Sequence, residues 1–277
     1  MTAVINNFGG FYSTRVYVNE ARKGGAIINL TCVNKSIYVT TIYDKDIFLG
    51  FIHIQNLESH FAQLIPVERS QGGDYRDLED FINRTQISLQ QLIILIRVSA
   101  LRFTGRTKKE LLWEAHFLLN SKTSHSNSTA LFDTPKKDYI LPKLETTIIE
   151  DVYDEIELIG FSVTIPDFEL LKTDFRGEIL ATNLMDYIGK KVKMVGSYVT
   201  TKYVRTKRKE IMNFGTWFDS EGNFFDTTHF PQSLVKYPFK GGGVYLILGK
   251  IVEEFGFPSI EVEKMAKLPI KPDPRAT

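Results

Sequence analysis

Apolar residues recur along this chain at two spacings, one helical and one alternating, and the change between them divides it. Residues 11 to 25 carry a helical pattern that stops at Gly24-Gly25, where a left-handed cap forms easily. Ile37-Tyr38-Val39-Thr40-Thr41-Ile42-Tyr43 is rich in β-branched and aromatic residues and predicts a strand. From Leu57 to Asn120 the period is helical again. Ser88 with Gln91, and Thr107 with Glu110, stand as capping boxes ahead of the apolar runs Leu89 to Ala100 and Leu111 to Leu119. They predict helix, hairpin, helix, with Leu101-Arg102-Phe103-Thr104-Gly105-Arg106 as the joint. Residues 121 to 147 are dense in Ser, Thr, Asn and Pro and form a linker. A helix follows from Thr147 to Ile159, with Ile149, Val152, Ile156 and Ile159 on one face.

From Lys191 to Pro269 the pattern is that of strands. The second and third join through Ser220-Glu221-Gly222-Asn223, a tight-turn sequence. Pro231 to Phe239 is a short helix or turn, Gly241-Gly242-Gly243 leads into a fourth strand at Val244 to Glu254, and a fifth starts near Ser259. Five strands with a helix between the third and fourth is the order of an OB-fold, a small closed barrel. The predicted class is therefore α+β and multidomain, a helical region followed by a five-stranded barrel.

Composition changes this picture little. The 277 residues are 43% hydrophobic and 24% charged, as in an ordinary soluble globular protein. No apolar run approaches the roughly 20 residues that span a bilayer, and the start lacks a secretory signal pattern. Cys32 is the sole cysteine, which excludes an internal disulfide and suits the cytoplasm. The net charge of +1 does not announce a nucleic-acid binder, so clustering of cations must carry that reading.

Two clusters qualify. The loop between the first two barrel strands holds Lys202, Arg205, Lys207, Arg208 and Lys209, and the strand after it carries Phe214, Trp217 and Phe218. Positive loops track a phosphate backbone and flat aromatic faces stack on unpaired bases, which points to single-stranded nucleic acid. A solvated hairpin tip beside core aromatics is the alternative. At the helical hairpin, Arg97, Arg102, Arg106, Lys108 and Lys109 surround Thr104, Gly105 and Thr107. The N-terminus of the second helix offers free N–H groups and a dipole that favours an anion, so a phosphate fits there. Cations at a helix N-terminus are unfavourable unless an anion arrives; the alternative is that these side chains solvate the ends of a packed helix pair.

No catalytic centre is legible. Glu145, Glu150, Asp151, Asp154, Glu155 and Glu157 flank the apolar stripe of one helix, the mark of a solvated face rather than of converging metal ligands. His53, His60, His116, His125 and His229 show no ligand spacing with Cys32, and no phosphate-cradling loop or dinucleotide fingerprint appears. No nucleophile with a nearby base stands out.

The opening Ile5-Asn6-Asn7-Phe8-Gly9-Gly10-Phe11-Tyr12, then Glu20-Ala21-Arg22 and Cys32-Val33-Asn34-Lys35-Ser36, resembles the end of the fingers region in bacterial replicative DNA polymerase III alpha subunits. The likeness continues through Leu95-Ile96-Arg97-Val98-Ser99-Ala100-Leu101-Arg102-Phe103-Thr104-Gly105 and Asp154-Glu155-Ile156-Glu157-Leu158-Ile159-Gly160-Phe161-Ser162. It ends in the barrel at Met212-Asn213-Phe214 and His229-Phe230-Pro231, in order over nearly the whole chain. The resemblance implies the end of the fingers at 1–50, tandem helix-hairpin-helix elements gripping duplex DNA at 51–120, and a linker with a clamp-binding peptide at 121–147. A helical connector at 148–185, an OB domain for single-stranded template at 186–270 and a tail at 271–277 complete it. That family is DNA-directed DNA polymerase, a nucleotidyltransferase. Its palm, with the catalytic aspartates and their Mg²⁺, would precede Met1, so the chain is expected to lack catalytic residues and cofactor. Expected partners are DNA, the catalytic part of the polymerase and a sliding clamp, met through Leu131 and Phe132 in Ser128-Thr129-Ala130-Leu131-Phe132. Three departures are local. Ser99 replaces the usual hairpin glycine, the first hairpin near Leu57 to Ile65 has lost its glycines, and Lys209 stands where the barrel loop often has glycine. A stand-alone single-strand-binding protein and an RNA-binding module remain open beside this reading.

Overall fold

The computed structural model describes residues 1–8, 10–124 and 146–276. In chain order the helices are α1 (Thr2–Asn6), α2 (Thr14–Lys23), α3 (Ser59–Gly72), α4 (Leu78–Thr85), α5 (Leu89–Arg97), α6 (Lys108–Ser124), α7 (Ile148–Leu158) and α8 (Pro231–Lys236). The strands are β1 (Ile27–Asn29), β2 (Thr41–Tyr43), β3 (Asp46–Phe48), β4 (Lys191–Arg205), β5 (Ile211–Phe218), β6 (Phe224–His229), β7 (Val244–Glu254) and β8 (Phe257–Lys267). They fall into two compact units, one of residues 1–6, 24–164 and 273–277, the other of residues 7–23 and 165–272.

The first unit is helical with a small sheet of order β1-β3-β2. The strand expected over 37–43 is confined to its last three residues. The carbonyls of Ile37 and Tyr38 instead accept from the N–H groups of Phe51 and Ile52, at 3.2 and 2.9 Å, in a short 3₁₀ turn. Gly50 permits this approach, because a Cβ there would lie 2.3 Å from the Val39 carbonyl carbon. The helices share a core of Ile65, Leu78, Phe81, Ile82, Leu92, Leu95 and Ile96, each side chain contributing about 1.5–3 kcal/mol on burial. Tyr75 packs edge-on against Phe81 at 4.9 Å, and its hydroxyl donates to the Ile65 carbonyl at 2.8 Å. That donation matters because burial pushes its pKa up to about 12 and keeps the proton in place.

Of the two capping boxes, only the second closes. The Thr107 N–H donates to Glu110 Oε2 at 2.8 Å and the Glu110 N–H returns to Thr107 Oγ1 at 3.3 Å. Ser88 makes no side-chain cap bond, and the Gln91 side chain, the other half of the box, is drawn elsewhere. Its buried amide accepts from the Glu58 N–H at 2.8 Å and donates to the Asn56 carbonyl at 3.1 Å, tying α5 to the segment before α3.

The second unit is a closed barrel of order β4-β5-β6-β8-β7, antiparallel except for the parallel β6–β8 pair. As expected, α8 lies between the third and fourth strands. Trp217, Phe225, Tyr245, Ile247, Ile251, Ile260 and Met194 fill the interior. Gly249 sits at a register shift, where a Cβ would meet the Glu261 carbonyl at 2.3 Å. The helix read over 11–25 forms as α2 and belongs to this unit. Arg15 on α2 holds Asp167, the Tyr198 carbonyl and, at 2.8 Å, Ser197 Oγ. Among the described residues, no helix is long and apolar enough to cross a membrane.

Candidate nucleic-acid interface

β4 and β5 pair in the register Lys202↔Phe214, Tyr203↔Asn213, Val204↔Met212 and Arg205↔Ile211, whereas β6 reaches only to Asn213. The last pairs therefore project from the barrel as a two-stranded ribbon. Its turn closes through the Thr206 N–H on the Glu210 carbonyl and the Lys209 N–H on the Thr206 carbonyl, both 2.8 Å. Lys202, Arg205, Lys207, Arg208 and Lys209 are all exposed, and among the described residues none of them makes an ion pair. Five cations against the single carboxylate of Glu210 leave the turn strongly positive, which attracts an anion. Lys209 sits at φ 63, a left-handed position where glycine is unstrained.

The aromatic half of the expected site is different. Phe214 is 42% exposed, but Trp217 is 0% and Phe218 5% exposed, so neither presents a face to a base. Alternation sends Trp217 into the barrel, where its Nε1–H donates to Thr227 Oγ1 at 2.7 Å. Phe218 points outward and is covered, packing on Phe224 at 4.5 Å with the Arg15 guanidinium 6.0 Å from its ring centroid. The helix α2 thus hides the outer position that alternation leaves exposed. The aromatic that sequence reading missed is Tyr203, 74% exposed within the cationic ribbon. Its place among Lys202, Arg205 and Lys207 was a legible signal.

The inner face of the ribbon runs into a polar barrel mouth. Asn213 lies directly opposite both Tyr203 and His229, with Thr201 one step further in on β4. His229 is fully buried, and desolvation lowers its pKa to about 4, so the ring is neutral at physiological pH.

At the helical hairpin the cations are engaged within the chain. Arg97 Nε donates to Asp154 Oδ1 at 2.8 Å, and its Nη1 to Glu157 at 3.2 Å. Lys108 meets Asp151 at 2.8 Å and Asp154 at 3.4 Å, and Lys109 meets Glu150 at 3.2 Å. Arg275 adds a further contact to Asp154 at 2.8 Å. Arg106 pairs with Glu114. Arg102 donates to the carbonyls of Thr31 and Leu30 at 2.7 and 2.9 Å, and burial lowers its pKa. Hydrogen bonding to Arg97 holds the Glu157 carboxyl below its usual range.

From Glu150 to Glu157 the acidic run is therefore engaged with cations and backbone rather than simply solvated, and Glu145 lies outside the described residues. Asp154 is 3% and Glu155 1% exposed; Glu155 accepts from the Val163 and Thr164 N–H groups at 2.6 and 2.9 Å. The anion that cations near the start of α6 require is supplied by α7. Thr104 Oγ1 donates to the Leu101 carbonyl at 2.9 Å, and Gly105, at φ 70, has open space on its Cβ side. Ser99 takes the left-handed turn at φ 59 in place of a glycine. Ser128, Leu131 and Phe132 lie outside the described residues. Among the described residues, no three His, Cys, Asp or Glu side chains group as metal ligands would.

These features define a helix-hairpin-helix region followed by an OB-type barrel. A family model described as helix-hairpin-helix motif matches residues 25–111. The chain is similar to the DNA polymerase III alpha subunit of Staphylococcus epidermidis, 27% identical over 255 residues, covering 88% of this chain and 23% of the relative. The error-prone DNA polymerase of Mycobacterium bovis is 32% identical over 108 residues, 38% of this chain and 10% of the relative. That of Bdellovibrio bacteriovorus is 29% identical over 176 residues, covering 59% and 16%. The resemblance read from the sequence thus holds, and the chain spans less than a quarter of these relatives. Among solved structures, the second OB-fold domain of replication protein A from Methanococcus maripaludis aligns at 14% identity, covering 29% of this chain and 85% of the domain. Its TM-score of 0.23 carries no weight.

Proposed function

We propose that this chain is a DNA-binding, non-catalytic portion of a replicative polymerase of the DNA polymerase III alpha kind. The barrel ribbon holds single-stranded template, and the helical region sits against primer-template duplex. The observation that carries this reading is the set of five exposed cations beside Tyr203 and Phe214, none ion-paired among the described residues. Stacking is assigned to Tyr203 on the inner face of the ribbon and, separately, to Phe214 on its outer face, in place of Trp217 and Phe218. Duplex contact at the second hairpin falls mainly to the backbone around Gly105 and Arg106, since carboxylates engage Arg97, Lys108 and Lys109. Leu131 and Phe132 remain the clamp-binding proposal, and the catalytic part and Mg²⁺ are supplied by residues other than these.

Fluorescence anisotropy with a labelled single strand over a salt series tests the reading. Changing Lys207, Arg208 and Lys209 together to Ala should weaken binding and flatten the log–log salt slope by about 2, roughly 0.7 per lost phosphate contact. Unchanged affinity and slope in a folded variant would remove the ribbon from the interface.

Lys209→Gly separates stability from binding. Relief of the left-handed strain should raise barrel stability by about 1 kcal/mol, while loss of a cation lowers single-strand affinity. A variant that melts earlier and binds as tightly as wild type would contradict both assignments.

A further inference from the structure

We infer that the inner face of the β4–β5 ribbon reads the edge of one unpaired base and selects a base carrying an exocyclic amine. This rests on the single-strand reading above and adds identity to it. Tyr203, Asn213 and His229 are directly opposed across β4, β5 and β6, so their side chains share one face with Cβ atoms about 5 Å apart. The row passes from an exposed aromatic ring to a buried polar end. At that end Asn213 Oδ1, Thr201 Oγ1 and His229 Nδ1 are buried and have no hydrogen-bond partner. Such atoms are rare in a folded chain, because each loses its water without replacement.

The network below them sets what they want. Thr227 Oγ1 receives the Trp217 Nε1–H at 2.7 Å and donates to the Gly215 carbonyl at 3.2 Å. In the tautomer in which Thr227 donates to Gly215, His229 Nε2, 2.8 Å from the same oxygen, carries the ring proton and Nδ1 is a bare acceptor. Asn213 Oδ1 is a second acceptor directly opposite on the next strand. A partner suited to this end therefore presents N–H groups. Cytosine offers its amine, whereas thymine offers a carbonyl oxygen and a methyl group in the same place. Tyr203 supplies the stacking face, and Lys202 and Arg205 on either side of it supply charge for the flanking phosphates.

The probes are oligo(dC) and oligo(dT) of equal length, titrated against the full chain at pH 8. Wild type should bind oligo(dC) about three- to ten-fold tighter, the worth of one or two hydrogen bonds. Asn213→Leu should bring that ratio to about one, whereas Asn213→Asp, which keeps acceptors alone, should preserve it. Tyr203→Leu should weaken both probes together. Thermal melts establish that each variant is folded, and Thr201→Val, nearly isosteric, provides a second reduction of the ratio should Asn213→Leu not fold. Equal affinity of wild type for the two probes, or a preference that survives Asn213→Leu, overturns the inference and leaves the single-strand reading standing. Failure to bind either probe overturns both.

Discussion

Trp217→Ala should unfold the barrel rather than trim its affinity for DNA. The indole is fully buried, stacked on Phe239 at 5.8 Å and edge-on to Tyr245 and Tyr198 at 5.2 and 5.7 Å. Truncation of a buried aromatic costs about 3–5 kcal/mol, and loss of the Nε1–H bond to Thr227 adds about 1 kcal/mol. That is a large share of the roughly 5–15 kcal/mol that holds a domain folded. Denaturant melts of the full chain should show an early barrel transition. Phe214→Ala provides the contrast. Its half-exposed ring should leave stability within about 0.5 kcal/mol and cost about 1–3 kcal/mol of single-strand binding. If Trp217→Ala melts like wild type yet loses the single strand, the indole is a stacking face after all and the barrel interior has been misassigned.

The same residue shows what the sequence could and could not reveal. Alternation along Ile211–Phe218 correctly opposes Trp217 and Phe218, and it implies that one of them is core. What it lacks is the cover over the other side. Phe218 is buried by residues about two hundred positions earlier, through Arg15 and the packing of Tyr12 on Phe224. Burial by a distant segment leaves no trace in local periodicity. The five strands, the helix between the third and fourth, and the Thr107 box were legible because each rests on neighbours in sequence. The acidic run of α7 was not. Glu150, Asp151, Asp154 and Glu157 flank an apolar stripe, as solvated carboxylates do. Only the packing of α7 beside α5 and α6 turns them toward Arg97, Lys108 and Lys109. Both charge clusters were visible, but their mutual neutralisation was a tertiary fact. The barrel ribbon escaped this outcome because Arg205, Lys207, Arg208 and Lys209 lie beyond the end of β6.

Barrel stability should fall as pH drops from about 6.5 to 5, and His229 should account for the fall. Burial lowers its pKa from 6.5 to about 4 in the folded chain, while an unfolded chain titrates near 6.5. Between those values the unfolded state takes up a proton that the native state refuses. Stability from this group is therefore complete above about pH 6.5 and is lost at roughly 1.4 kcal/mol per unit as pH falls toward 4. The fall to pH 5 then amounts to about 2 kcal/mol, in a range where carboxylates remain largely ionised and contribute little slope. Among the described residues no acid contributes to the shift, whose cause is burial; the ring lies against Thr227, Trp217, Phe239 and the opposed Asn213. Urea melts followed by tryptophan emission report it directly, since the Trp217 ring lies 6.5 Å from His229. His229→Gln removes the titrating group and should flatten the profile between pH 5 and 7 while lowering stability at neutral pH, because the amide fits the site less well. A wild-type profile that is flat over this window would mean that the imidazole finds water or a counter-charge in solution and is not held neutral by the barrel, and a slope that persists in His229→Gln would assign the fall to another group.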